Sequence, residues 1–166
     1  MKHFVGYHVT VPGKDRTPAY IPDHVLKEYH IASFKRAIDA GAKTIMINSG
    51  LINGVSVHAS YKLMTEILRN DLGFQGVILT DWEDINKLCD RYKIAIDRKQ
   101  ATKIAINAGI DMSMVPYEYE EFIDNLKDLV NEGEVEISRI DDAVKRILKL
   151  KLELDLFKNP TTHWNN

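Results

Sequence analysis

Four short apolar runs punctuate the chain, at about residues 2–7, 43–48, 75–81 and 110–115, and each reads as a short strand buried on both faces. The stretch Gly76-Val77-Ile78-Leu79-Thr80-Asp81 is the clearest: a Val/Ile/Leu run that ends abruptly in an acid. Between the runs the apolar positions recur at three and four residues, the period of a one-sided helix. Leu26, Tyr29, Phe34, Ala37 and Ile38 mark a helix over about 23–40 that stops at Gly41. Leu63, Met64, Ile67 and Leu68 mark one over about 59–71, before Gly73, and Ala101, Ile104, Ala105 and Ala108 one over about 98–108, before Gly109. Two more follow, at about 118–131 (Phe122, Leu126, Leu129, Val130) and about 138–156, the latter opened by Ser138-Arg139-Ile140-Asp141 in the manner of a capping box.

Strand and helix therefore alternate, which is the rhythm of a parallel sheet with helical crossovers. Four such units suit half of a (β/α)8 barrel or a small doubly wound sheet. Loop lengths favour the barrel. The segments after strands, residues 6–22 and 82–97, are long, whereas the turns after helices, Gly41-Ala42 and Gly73-Phe74, are short. Barrel enzymes show this asymmetry because the working loops follow the strands. The expected fold is α/β: a parallel-stranded (βα)4 half of a TIM barrel over residues 1–157, with a tail or linker over 158–166. Such a half leaves sheet edges and an inner apolar face open, so it calls for a second copy or a complementary segment.

Composition changes this picture little. Hydrophobic residues make up 45% and charged residues 28%, values of an ordinary globular chain. The net charge of −2 provides no basic surface for nucleic acid or an anionic membrane. No apolar run approaches the ~20 residues of a membrane span, and no leader pattern precedes Lys2-His3. Cys89 is the single cysteine, which leaves no internal disulfide or thiolate metal cluster. Nothing in the pattern calls for a cofactor.

Asp81 is the first chemical candidate, because the C-terminal end of a parallel strand is where α/β folds place reacting groups. Taken alone it is also an ordinary capping acid at a strand-to-helix turn. Trp82 offers a flat face suited to a sugar ring, or packing on the rim. Glu83 and Asp84 read as solvated or capping acids. Lys2 and His3 stand at the start of the first run, Asn48 and Ser49 follow the second, and Asn53-Gly54 is a turn signal. His58, in the same loop, reads as a ligand contact or, more simply, a surface histidine, and His3, His8 and His58 lack metal-ligand spacing. Asp111, Met112 and Met114 lie in the fourth run, where the methionines read as core filling.

Taken together, Lys2-His3-Phe4, Met46-Ile47-Asn48-Ser49, Ile52-Asn53-Gly54-Val55, the run from Leu68 to Trp82, Asn107-Ala108-Gly109-Ile110-Asp111-Met112 and Arg139-Ile140-Asp141-Asp142-Ala143-Val144-Lys145-Arg146 resemble glycoside hydrolase family 3, in its β-glucosidase and exo-glucanase branch. The likeness extends from residue 2 to about residue 160 and matches the second half of the family's barrel. It implies hydrolysis of terminal β-glucosyl residues of a β-glucoside or β-glucan oligosaccharide by a retaining mechanism, with Asp81 as nucleophile. It further implies that Lys2 and His3 bind sugar hydroxyls, with Trp82 as platform and Met46 and Ser49 in the surrounding shell. Ser49 stands where many members carry Tyr. The acid/base carboxylate, and an Asp and Arg that grip the sugar, belong to parts of the family pattern that this chain does not match. The chain by itself is expected to have little activity, and a non-catalytic, self-associating half-barrel is the competing expectation.

Overall fold

The computed structural model describes residues 1–160; positions 161–166 of the expected tail lie outside the described residues. Its centre is a parallel arc. Strand β1 (Thr44–Met46) pairs in parallel with a later strand, Val77–Leu79, in the register Thr44↔Val77, Ile45↔Ile78 and Met46↔Leu79. Single parallel bridges, Phe4↔Ile47 and Leu79↔Met112, add the first and fourth runs on either side. The spatial order is thus the sequence order, first run, Thr44–Met46, Val77–Leu79, fourth run. A doubly wound sheet reverses its order at a switch point; this one does not, and the half-barrel expectation holds. Among the described residues the arc stays open, and each of the two outer runs joins it through a single bridge.

Between β1 and the next parallel strand, Leu51–Ile52 (β2) and Val55–Ser56 (β3) form a two-residue hairpin. Asn53 (φ 51°) and Gly54 (φ 84°) both take positive φ, as a type I′ turn requires. The Asn53 side chain receives the Ile21 N–H at 2.7 Å and donates to the Ile21 carbonyl at 2.8 Å, which ties the long first loop to the hairpin. The strand Val77–Leu79 is labelled β4.

Helix α1 consists of an α-turn Asp23–Val25, a π-helical stretch Leu26–Ile31 and an α-helical stretch Ala32–Asp39. A 3-10 turn (Val57–Ala59) leads into α2 (Lys62–Asp71), also wound as a π-helix. Residues 84–90 form a helix, α3 (Asp84–Asp90), inside a segment expected to be loop. Helix α4 (Arg98–Ala108) is capped by Asp97, whose carboxylate accepts the Gln100 N–H at 2.7 Å. Helices α5 (Tyr119–Asn131) and α6 (Ile137–Glu153) complete the outer layer. The start of α6 also departs from expectation. It begins one residue before Ser138, with Glu136 at the cap position and no side-chain capping bond, so the capping box is not made.

The core lies between the arc and the helices. Ile45, Ile47 and Ile78 are fully buried beneath them together with Phe4, Met64 and Leu68. Phe4 meets Phe34 of α1 edge to face at 5.1 Å. Residues that alternate with these, Met46 and Leu79, are only half-buried, and Met112 is 51% exposed, because the opposite face of the arc has no cover. The expectation that Met112 fills a core is corrected on that ground.

At the other end of the strands, the Asp111 carboxylate has 0% exposure and collects three arginines. Arg139 Nη2 and Arg146 Nη1 donate to its Oδ1 at 2.8 and 3.0 Å, while Arg69 and the Ile78 N–H donate to Oδ2, the latter at 3.0 Å. Arg69 also donates to the Phe74 and Gly76 carbonyls at 2.9 and 2.6 Å. Burial of its guanidinium, only partly offset by Asp111, brings its pKa down to about 10. This cluster pins α2, α4's exit and α6 to the sheet. Gly76 permits the approach at this end, since a Cβ there would sit 2.1 Å from the Lys43 carbonyl oxygen.

Candidate active site

The segments leaving the C-terminal ends of the strands converge on Asp81. The last residue of the β4 run, Thr80, is fully buried, and its hydroxyl accepts the Met114 N–H at 2.8 Å. That bond, with the Thr80 N–H donated to the Met112 carbonyl at 3.1 Å, fixes the exit of β4 against the fourth run. Asp81 follows, its side chain 16% exposed. Its Oδ1 accepts the Trp82 N–H at 2.6 Å, and Arg16 Nη2 lies 3.8 Å from the same oxygen. His3 Nε2 lies 3.5 Å from Oδ2. Burial raises the Asp81 pKa, but the Trp82 N–H, the nearby Ser49 hydroxyl and the Arg16 and His3 charges outweigh it. The net shift is downward. Asp81 is therefore an ionised, partly desolvated carboxylate, the state a nucleophile needs.

His3 is held the other way. Burial lowers its pKa, Asp81 raises it and Lys2 lowers it, with a net shift downward. Its ring meets Tyr7 edge to face at 4.8 Å. The Tyr7 hydroxyl donates to Asp15, and burial together with that bond pushes the phenol up to about 12. Asp15 also pairs with Arg16 at 3.1 Å, and Arg91 donates to the Arg16 carbonyl at 2.9 Å. The long loop after the first run is thereby folded back so that Arg16 faces Asp81.

Behind Asp81 lies a second carboxylate. Asp84 is 2% exposed, which corrects the reading of a solvated acid. It accepts from the Ser49 hydroxyl and from Lys87 Nζ, the latter at 2.6 Å, and His58 Nε2 lies 3.6 Å away. His58 is 1% exposed rather than on the surface. Burial, opposed by the Asp84 and Asp81 charges, lowers its pKa to about 4, so it is neutral.

The structure brings His3, Ser49, Asp81 and Trp82 into one neighbourhood. Trp82 is 44% exposed and meets Tyr117 edge to face at 6.1 Å, forming an open aromatic corner beside the carboxylate. Lys2 is exposed at the same rim without an ion pair among the described residues. Met46 lies deeper, half-buried in β1, where its backbone receives Phe4 N–H at 2.9 Å and donates to Met1. Sequence reasoning misses Arg16 and Asp84 as neighbours of the site, and offers His58 only as a ligand contact or a surface residue. Among the described residues no three His, Cys, Asp or Glu side chains converge as a metal centre.

The arc presents an ionised carboxylate, an imidazole, a guanidinium and an exposed indole at its C-terminal rim, the face on which (β/α)8 barrels place their reacting groups. The sequence model of the glycosyl hydrolase family 3 N terminal domain matches residues 1–150. A lysosomal beta glucosidase of Dictyostelium discoideum is 51% identical over 160 residues, covering 96% of this chain and 19% of its own length. The crystal structure of a beta-glucosidase from Listeria innocua in complex with glucose superposes with a TM-score of 0.88 at 29% identity, over 96% of this chain and 22% of that one. An exo-1,3/1,4-beta-glucanase from a Pseudoalteromonas species gives 0.81 at 35% identity, over 92% and 18%. The chain belongs to glycosyl hydrolase family 3 and spans about a fifth of the length of these relatives.

Proposed function

We propose that the chain supplies the nucleophilic half of a retaining β-glucosidase acting on terminal β-D-glucosyl residues of a β-glucoside or β-glucan oligosaccharide. The observation that carries this reading is Asp81, held ionised by the Trp82 N–H, Ser49, Arg16 and His3 on the C-terminal rim. Its carboxylate attacks the anomeric carbon, the glycosidic oxygen leaves with a proton, and water then releases the sugar from the glycosyl-enzyme. Lys2 and His3 bind sugar hydroxyls, and Trp82 with Tyr117 offers the ring a platform. The names of the relatives, and glucose bound to the Listeria protein, support the sugar class.

The proton donor comes from outside residues 1–160. Asp15 is held below its usual range by its bond to Tyr7, and Asp84 is engaged by Ser49 and Lys87, so neither suits a general acid. A 2-deoxy-2-fluoro-glucoside with a dinitrophenolate leaving group needs no acid, so it tests the nucleophile alone. Peptide mass spectrometry is expected to find slow labelling of Asp81, absent in Asp81→Asn. Labelling of another residue refutes the assignment. Turnover of an unactivated glucoside by this chain alone refutes the external acid.

The open arc favours a companion role, association with a second copy or a complementary barrel segment through its uncovered face. Sedimentation giving only monomer up to high micromolar concentration rules out self-pairing.

A further inference from the structure

Beside the Asp81 centre, and sharing His3 with it, lies a recess of about 340 Å³ between the first loop and α1. Lys2, His3, His8, His30, Tyr29 and Ser33 line it, and no carboxylate does. The imidazoles of His8 and His30 lie with ring centres 5.1 Å apart and planes tilted by 49°. None of Lys2, His8 and His30 has an ion-pair partner among the described residues. Asp81, Asp15 and Asp84, the acids that act on His3, are already engaged by the Trp82 N–H, Tyr7, Arg16 and Lys87. Lys2 and protonated imidazoles around one concavity repel one another, and a counter-charge between them relieves that repulsion.

We infer that this recess binds an anionic group, a phosphate or carboxylate carried on a saccharide, next to the Asp81 centre. A cation is disfavoured, because Lys2 adds positive charge and nothing anionic lines the walls. Lys2 and the two imidazoles supply charge-assisted donors, and the Ser33 and Tyr29 hydroxyls add neutral ones. The volume accommodates one substituted pyranose. Burial and the His8 charge both lower the His30 pKa, so an anion bridging the two rings relieves that repulsion and shifts His30 upward. The saccharide part of the inference rests on the glycosidase reading; the anion part stands on the recess.

The test is NMR titration of the histidine Cε1–H signals of the full chain at pH 6. The arms are inorganic phosphate, glucose 6-phosphate, glucuronate, glucose and sodium chloride at matched ionic strength. Saturable shifts of His8 and His30 with glucose 6-phosphate or glucuronate, tighter than with inorganic phosphate and absent with glucose and chloride, are expected. The arm that binds tighter distinguishes phosphate from carboxylate. Lys2→Gln and His8→Gln should each weaken binding roughly tenfold, the loss of about one charge-assisted hydrogen bond. Shifts equal to those in chloride, or binding unchanged in both variants, overturn the site. Inorganic phosphate binding as tightly as the sugar anions overturns the saccharide part. Asp81→Asn should leave anion binding intact. Loss of Asp81 labelling by the fluoro-glucoside with intact anion binding therefore overturns only the glycosidase reading.

Discussion

Asp111→Asn keeps the shape of the side chain and removes its charge from the centre of three guanidiniums. In the native chain its two oxygens accept from Arg69, Arg139, Arg146 and the Ile78 N–H. The amide keeps one acceptor oxygen and turns an NH2 group toward donors. Removing one partner of a buried ion pair costs about 3–5 kcal/mol. The lower end applies here, because each arginine retains another acceptor: carbonyls for Arg69 and Arg139, Asp142 for Arg146. A loss of about 3 kcal/mol raises the unfolded fraction roughly 150-fold and removes a large share of the ~5–15 kcal/mol that stabilises a domain. With a urea m-value of about 2 kcal/mol/M, the midpoint falls by roughly 1.5 M at unchanged slope. Urea unfolding followed by far-UV circular dichroism at pH 7 measures this. Asp39→Asn, which breaks the exposed Lys35–Asp39 pair, is the control and should cost under about 0.5 kcal/mol. A loss below about 1 kcal/mol for Asp111→Asn would refute the claim that this carboxylate anchors the strand ends.

His58 gives the fold an acid sensitivity of known sign. Its pKa is about 4 when folded and ~6.5 when unfolded, so the unfolded chain takes the proton first as pH falls, and stability present above ~6.5 is lost toward 4. The loss is about 2 kcal/mol at pH 5; urea midpoints at pH 7 and 5 should separate less in His58→Gln, and an equal separation contradicts the assignment. Gly76→Ala places a methyl against the Lys43 carbonyl oxygen and the Phe74 ring. It should cost about 1–3 kcal/mol in thermal unfolding, and an unchanged melting temperature would show that the turn can move aside. Arg16→Met removes the cation 3.8 Å from Asp81, so the Asp81 pKa should rise toward its ordinary value; carbon-13 NMR of the carboxyl group reads this directly, and no rise refutes the electrostatic role of Arg16.

The arc and the longer helices were legible because burial leaves a periodic trace. The pattern predicting 98–108 meets a helix with those bounds, and the Val77-Ile78-Leu79 run is a strand paired on both sides. The short helix Asp84–Asp90 left too little trace, with Ile85 and Leu88 as its buried apolar residues and Glu83 in a left-handed conformation where a capping residue would signal a start. Asp81 could be found from its position at the end of a strand. Arg16 could not, since it sits in an aperiodic loop and meets Asp81 only through tertiary folding. Asp84 and His58 carry polar letters that say exposed, and only their mutual burial reverses that. The partners of Asp111 lie 42, 28 and 35 residues away, a convergence that no local spacing records.

The matching of spatial and sequence order in the arc has a consequence for how the chain acquires its structure. Each strand pairs with the next one along the chain, so the pairings Phe4–Ile47, Thr44–Val77 and Leu79–Met112 close loops of similar, moderate length. Among the described residues these pairings span 33 to 43 positions, and loop-closure entropy grows only slowly over such spans. Assembly can then proceed unit by unit, each βα hairpin docking on a finished neighbour. The same locality makes the connections between units natural places to divide the polypeptide for complementation: a cut there severs one covalent link while each piece keeps its own internal pairings.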